Sequence, residues 1–133
     1  MNFKSIKISK QIELALRWLI FLTKQKRGRV INLRSFCKQN NVSFYYLQKI
    51  NRQLVKMKLL ESQKGKNGGY RLKKSPSQIS LLSIIETLEG PISLVCCSPT
   101  CNTPHCALKN CWQILNKDLT KKLTKIKLNY FLK

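Results

Sequence analysis

Acidic side chains and histidine are scarce in this chain. Its 133 residues include five Asp and Glu against 26 Lys and Arg, which gives a formal net charge of +21, and His105 is the single histidine. No phosphate-binding loop and no pair of catalytic carboxylates occurs. Cysteine–histidine catalysis needs a polar group that orients the histidine in an enclosed pocket, and the adjacent residues His105 and Cys106 do not easily reach that geometry. These absences argue against an enzyme and against a small-molecule substrate.

Long apolar runs are also missing. A transmembrane helix needs about 18 uninterrupted apolar residues, whereas Glu13 and Arg17 interrupt the apolar stretch 12–22, and no small-residue cleavage site follows it. We therefore expect no membrane partner and a reducing compartment, either the bacterial cytoplasm or the stroma or matrix of an organelle with its own genome. Clustered cysteines in such compartments are more often metal ligands or redox groups than structural disulfides.

The positive charge is distributed along the whole chain. A balance of this kind favours a polyanionic partner, either nucleic acid or an anionic membrane surface. Lys, Asn and Ile are all abundant, so drift in an AT-rich genome is an alternative origin of the charge. The charge therefore supports nucleic-acid binding without identifying it.

The first 57 residues have the apolar spacing of three helices, at 9–25, 33–39 and 44–57. Their expected N-caps are Ser9, Asn32 and Ser43. Asn40 and Asn41 tolerate the left-handed conformation that a tight turn requires. Two short helices joined by a tight polar turn indicate a helix-turn-helix.

The third helix has two distinct faces. Its inward side is expected to be apolar: Leu47, Ile50, Leu54 and Met57. Its outward side is expected to meet DNA, with four side chains near base edges in the major groove and Arg52 on phosphate. The four are Tyr45, Tyr46, Gln48 and Lys49.

A basic hairpin is expected directly after the helix-turn-helix. Residues 59–63 and 69–72 have strand character, and the Asn67-Gly68 step is a strong turn signal because both residues accept positive φ. A hairpin in this position is a wing. We expect the wing to contact the DNA backbone or minor groove through Lys64, Lys66 and Asn67. Further positive charge is expected along it from Arg71, Lys73 and Lys74. A solvated hairpin with incidental lysines is the alternative.

The rest of the chain predicts two more helices. One covers 81–88, capped by Ser80 and stopped by Gly90 and Pro91. The other runs from Ala107 to about Phe131, with a narrow apolar stripe near heptad spacing that favours a homodimer over a helix folded back on its own domain. The expected fold is mainly α with a small β-hairpin: a winged helix-turn-helix domain at 1–91, a cysteine-rich loop at 92–106 and a dimerisation helix at 107–133.

Five of the six cysteines lie in one segment, CCSPTCNTPHCALKNC, between that domain and the long helix. Cys96, Cys101, Cys106 and Cys111 recur at every fifth position, and two prolines keep the first part irregular. A disulfide framework, a zinc site and an iron–sulfur site are the three explanations. Structural zinc sites typically contain CxxC, which is absent, so the spacing favours iron–sulfur. Cys37 stands alone in the second helix and is expected to be a small buried apolar residue.

Four stretches resemble a known family: IELALRWL, VSFYYLQKI, GKNGGYRL and ISLLSIIETLEGPISLV. The chain is similar to the small winged-helix transcriptional regulators that include the iron–sulfur cluster regulator IscR and the nitric-oxide sensor NsrR. The resemblance implies a homodimer that binds double-stranded DNA and holds an iron–sulfur cluster, [2Fe–2S] or [4Fe–4S]. Nitric oxide, redox state and iron–sulfur status all fit as the signal, and repressor and activator roles both stay open.

Carried over by residue, the resemblance puts cluster thiolates at Cys96, Cys101 and Cys106, with Glu13 of the partner subunit as a fourth ligand. An ion pair of Glu13 with Lys10 or Arg17 is the alternative for that acid. The chain departs from the family in having four residues between its second and third cysteines, where five are common. Cys97 stands beside Cys96, so either could be the first ligand, and His105 precedes the third cysteine and is a less favoured ligand candidate. Cys111 is an extra thiol that is expected in the core. Cluster-free regulators that use thiol oxidation or zinc, and a general nucleic-acid-binding protein, are the rival interpretations.

Overall fold

Residues 8–93 and 106–132 of the computed structural model are described here; Cys96, Cys97, Cys101 and His105 lie outside them. Three helices, a two-stranded antiparallel hairpin and two more helices follow in order: α1 Lys10–Thr23, α2 Leu33–Asn40, α3 Phe44–Lys56, β1 Leu60–Gln63, β2 Gly69–Leu72, α4 Leu81–Glu89 and α5 Ala107–Lys125. This order is that of a winged helix, so the expected fold class is confirmed. No described helix is long and apolar enough to cross a bilayer.

The predicted caps define the helix starts. The side-chain oxygens of Ser9, Ser43 and Ser80 accept backbone N–H groups of their own first turns, and Asn32 accepts two. Such caps satisfy donors that the helix itself leaves free. Asn41 takes the left-handed conformation at φ 53° and ends α2 one residue later than the spacing predicted.

Trp18 is the centre of the core. It is fully buried, and its ring lies 4.8 Å from Phe36 of α2 and 6.4 Å from Tyr70 of β2. The inward positions of α3 are buried as expected, except Met57, which is 56% exposed. Met57 was wrongly assigned to the core because α3 ends at Lys56. Lys58 then takes a positive φ, and after this turn the side chain of Leu59, not that of Met57, is buried in the core.

The hairpin pairs in the predicted place but turns differently. The register runs from Leu60 opposite Leu72 to Gln63 opposite Gly69. The positive φ in the turn belongs to Gly65, whose carbonyl accepts the Gly68 N–H at 3.0 Å, and Asn67 has a negative φ. The predicted role of the Asn67-Gly68 step is therefore wrong, since the residue of this five-residue loop that adopts a positive φ is Gly65.

The wing is also joined to the chain that precedes α2. Tyr70 and Ile31 exchange both backbone hydrogen bonds at 2.9 Å. A Cβ at Gly69 would overlap the Ile31 carbonyl, so this approach of two backbones requires glycine. The contact holds the wing beside the helix-turn-helix.

The last helix ends earlier than the sequence predicted. α5 stops at Lys125, Ile126 is extended, and a 3₁₀ helix covers Leu128–Leu132. The Ile126 carbonyl accepts the Leu81 N–H at 2.8 Å, and the Leu128 N–H donates to the Ile79 carbonyl at 3.0 Å. The expectation of one helix to Phe131 is wrong, because this pairing and the burial of Leu128 favour a chain end folded back on the winged domain.

Candidate DNA-binding surface and cysteine segment

The outward face of α3 is polar, aromatic and basic. Tyr45 is 79% exposed and Tyr46 is 42% exposed, and Lys49 and Arg52 are exposed as well. Gln48 is half-buried. Apolar residues fill the opposite face, so the helix is fixed in the domain with this surface outward. The five side chains predicted to meet DNA therefore share one helix face, with Gln48 the least accessible.

The tip of the wing carries the second predicted group. Lys64, Lys66 and Asn67 are all exposed there. Arg71 is different, because its Nε donates to Glu61 Oε2 at 2.9 Å across the register of the hairpin. Glu61 therefore offsets part of the positive charge that was expected along the hairpin from Arg71.

The helix-turn-helix is strongly electropositive because it has no acids of its own. Residues 14–60 contain no Asp or Glu. In the described ranges, ion pairs join Glu13 to Arg17 and Glu61 to Arg71. The remaining exposed lysines and arginines of α2, α3 and the wing have no carboxylate beside them in that part of the chain. A polyanion that binds here would therefore meet a positively charged surface.

Arg34 is a basic residue that the sequence reasoning missed. Its guanidinium carbon lies 4.4 Å from the centre of the Phe44 ring, which in turn meets the Tyr45 ring edge-on at 5.6 Å. Arg34 belongs to α2, which the apolar spacing identified only as a packing helix. A basic residue in the first turn of the first helix of the motif was the available signal.

The cysteines of the described chain occupy three environments. Cys106 is the N-cap residue of α5 and is half-buried, and Cys111 is exposed. The expected core position of Cys111 is wrong, because residues 8–93 and the rest of the described chain leave that part of α5 uncovered. Cys37 is buried as predicted, and desolvation raises the pKa of its thiol, which suits an inert packing residue. No three metal-ligating side chains come together within residues 8–93 and 106–132.

Glu13 lies in the first turn of α1, the end of that helix that contacts the end of α4. Its Oε1 accepts Arg17 Nη2 at 2.7 Å, the pair expected as the alternative to ligation, and both side chains are more than half exposed. Ser9, the α1 cap, donates its hydroxyl to the carboxylate of Glu89 at the end of α4. The chain enters the cysteine segment a few residues after Glu89. The two expected ligands that the structure describes, Glu13 and Cys106, therefore both present solvent-accessible donors.

The first half of α5 leaves apolar side chains open to solvent. Leu108 is 67% exposed and Ile114 62%, with Leu115 at 44% and Trp112 at 40%. No residue of α5 is buried within the chain. A concentration of large apolar side chains on an uncovered helix is typical of a protein–protein contact.

Comparisons with known proteins agree with the fold. The family model Rrf2, described as an iron-dependent transcriptional regulator, matches residues 8–133. The HTH-type transcriptional regulator NsrR of Halalkalibacterium halodurans is 30% identical over 120 residues, covering 86% of this chain and 80% of that protein.

Solved structures agree as well. The global cysteine regulator CymR of B. subtilis is 32% identical with a TM-score of 0.78, covering 94% of this chain and 95% of that one. T. potens IscR has a TM-score of 0.75 at 24% identity, covering 96% and 87% respectively, which shows the shared fold alone. The family match spans nearly the whole chain. The chain therefore belongs to the Rrf2 family of transcriptional regulators and is not an enzyme.

Proposed function

We propose that this regulator is a homodimer that binds operator DNA under the control of an iron–sulfur cluster held by its cysteine segment, and that it acts in the bacterial cytoplasm. The observation that carries the proposal is the position of Cys106. Cys106 is the N-cap residue of α5, at the opposite end of the cysteine segment from α4, and the end of α4 is joined to α1 through Ser9 and Glu89. A cluster bound by that segment would therefore be connected to α4 and α1, the helices that position α3.

DNA binding follows from the outward face of α3 and the wing. A recognition helix of a helix-turn-helix enters the major groove with its first residues at base edges. Tyr45, Tyr46, Gln48 and Lys49 are then base-facing, and Arg52 contacts phosphate. Lys64, Lys66 and Asn67 contact the adjacent backbone or minor groove. The absence of acids from residues 14–60 supports this assignment.

Dimerisation is assigned to α5. Its exposed apolar side chains are left uncovered by the described part of the chain, and pairing with a second α5 would remove them from water. Burial of this kind stabilises association by about 25 cal/mol for each Å². A symmetric dimer would present two α3 helices to half-sites about one turn of DNA apart.

The available donors suit an iron–sulfur cluster. Cys106 is a free, partly exposed thiol, and we assign Cys96 and Cys101 as the other thiolate ligands. Glu13 of the partner subunit is assigned as the fourth ligand, which requires it to leave Arg17. Their ion pair is exposed and costs about 0–1 kcal/mol to break. When bound, a cluster supplies a group that nitric oxide, oxidants or iron scarcity can alter.

Regulation would pass through contacts within this chain. The hydroxyl of Ser9 joins α1 to Glu89, and α1 packs on α3 within the core to which Leu19 and Leu47 both belong. Movement of Glu13 between its ligand position and Arg17 would therefore shift α1 and the angle between the two reading helices. DNA affinity would follow that angle.

A cluster-free regulator that responds to thiol oxidation is the second candidate. One observation favours it: Cys111 is exposed, five residues after the partly exposed Cys106. A cysteine regulator is also among the similar structures. In this alternative the thiols themselves would change state and no iron would be required.

DNA affinity in two states of the protein tests the cluster proposal. Coupled sites typically change each other's affinity by about 5- to 150-fold, so we expect a change of that size between anaerobic cluster-loaded protein and chelator-treated protein. Fluorescence anisotropy with a duplex selected by the wild type from a random library measures it. Cys101→Ala should show one affinity under both conditions, while Cys37→Ala should behave as wild type. Equal affinity of both wild-type states would contradict cluster control.

A further inference from the structure

The stack of Arg34, Phe44 and Tyr45 joins the two helices of the helix-turn-helix at their starts. Arg34 is the second residue of α2, where its backbone N–H donates to the Asn32 cap at 2.8 Å, and Phe44 is the first residue of α3. The guanidinium carbon lies 4.4 Å from the Phe44 ring centre, within the range of a cation–π contact. Tyr45, whose ring meets the Phe44 ring edge-on, is 79% exposed.

The stack restrains a guanidinium that has no anionic partner in the described chain. The described ion pairs use Arg17 and Arg71, and residues 14–60 supply no acid. The contact with the ring holds the guanidinium at the start of α3, and no carboxylate of the described chain occupies its N–H donors. A planar fork of donors fits the two oxygens of a phosphate better than a flexible ammonium does.

We propose that Arg34 is a DNA-positioning residue that hydrogen-bonds to a backbone phosphate and thereby sets how deeply α3 enters the groove. The first helix of a helix-turn-helix crosses the DNA backbone, and Arg34 is in the first turn of that helix. Because Phe44 begins α3 and touches both Arg34 and Tyr45, the phosphate contact is transmitted to the base-facing end of α3 through a single ring.

The inference rests on DNA binding as assigned in the proposed function, but not on cluster control. All variants are compared in one cluster state, on the selected duplex and on a scrambled duplex of the same length. Loss of cluster control therefore leaves this test unchanged. Failure of the wild type to prefer the selected duplex would contradict the DNA-reading assignment itself.

Replacement of Arg34 tests the contact. A hydrogen bond to a charged group contributes enough that Arg34→Ala should weaken binding about 10- to 100-fold. The loss should be the same on both duplexes, since a phosphate contact carries no sequence information. The slope of log affinity against log salt should fall by about 0.9 for each protomer bound. Lys122→Ala, at an exposed site in the last turn of α5, removes the same charge and should change neither quantity.

Two further variants separate the stack from the charge. Arg34→Lys keeps the positive charge but loses the planar fork of N–H donors. Phe44→Leu also keeps the charge but loses the aromatic ring. Both should bind several-fold more weakly than wild type with the wild-type salt slope, and thermal melts check that each is folded. The proposal is overturned if Arg34→Ala matches Lys122→Ala, if its loss follows only the unfolded fraction, or if the loss is confined to one base pair of the selected duplex.

Discussion

Raising the salt concentration from 50 to 200 mM is expected to weaken DNA binding by about 10³- to 10⁵-fold, if the dimer makes six to ten phosphate contacts. The physical reason is counterion release, since each phosphate neutralised by Lys or Arg frees bound cations. The chain has a net charge of +21, and its helix-turn-helix contains no acid. Anisotropy titrations of the selected duplex at five or six salt concentrations give the slope directly.

A wing variant provides the control for that slope. Lys64 and Lys66 are exposed at the tip of the hairpin, away from the Glu61–Arg71 pair. Lys64→Ala combined with Lys66→Ala should lower the slope by about 0.9 for every phosphate contact removed, while the hairpin still folds. A flat salt dependence of the wild type, or an unchanged slope in this double variant, would contradict the assigned DNA surface.

Trp18→Ala is expected to lower the free energy of unfolding by about 3–5 kcal/mol. Trp18 is fully buried and its ring packs against Phe21, Phe36 and Tyr70, so its loss leaves a cavity where α1, α2 and the wing meet. Urea denaturation followed by circular dichroism measures the change. A loss below about 1 kcal/mol would show that the core is not organised around this side chain.

Tyr45→Ala is the matched control, because it removes an aromatic ring from an exposed site. With 79% of Tyr45 open to solvent, the free energy of unfolding should change by no more than about 0.5 kcal/mol. DNA affinity should fall nonetheless, since Tyr45 lies at the base-facing start of α3. The two variants together separate the residues that hold the fold from those that read DNA.

Local signals were sufficient to predict the winged domain. Ser9, Asn32, Ser43 and Ser80 all cap the helices that their positions indicated, and Asn41 makes the expected turn. Each of these features depends on residues within one turn of each other. The inward and outward faces of α3 followed from helical periodicity for the same reason, with Met57 failing only because it lies beyond the last helical turn.

Features that depend on distant contacts were not predictable. The end of α5 is set by backbone pairing of Ile126 and Leu128 with residues near Leu81, which periodicity along one helix cannot reveal. Asn51 of α3 is fully buried, and neither side-chain oxygen nor nitrogen has a hydrogen-bond partner in the described chain. Such a group is costly to bury, so no sequence rule would place it in a core.

The candidate site also contains some features that were predictable from the sequence and others that were not. The outward side chains of α3 and the wing tip followed from pattern alone, but the contact of Arg34 with Phe44 depends on how α2 packs against α3, which the sequence pattern does not give. The assignment of Cys96, Cys101, Cys106 and Glu13 as ligands came from resemblance. Periodic spacing of thiols does not fix which of them would converge on a metal, because spacing along the chain does not determine the path of the backbone between them.

Iron and acid-labile sulfide content of anaerobically purified protein tests most directly whether the cysteine segment holds a cluster. We expect a coloured wild-type protein with matched iron and sulfide, which Cys101→Ala lacks and Cys37→Ala retains. A colourless wild type that carries zinc or no metal, even after anaerobic reconstitution with iron and sulfide, would contradict this expectation. The protein would then be a winged-helix regulator whose cysteines serve a different chemistry.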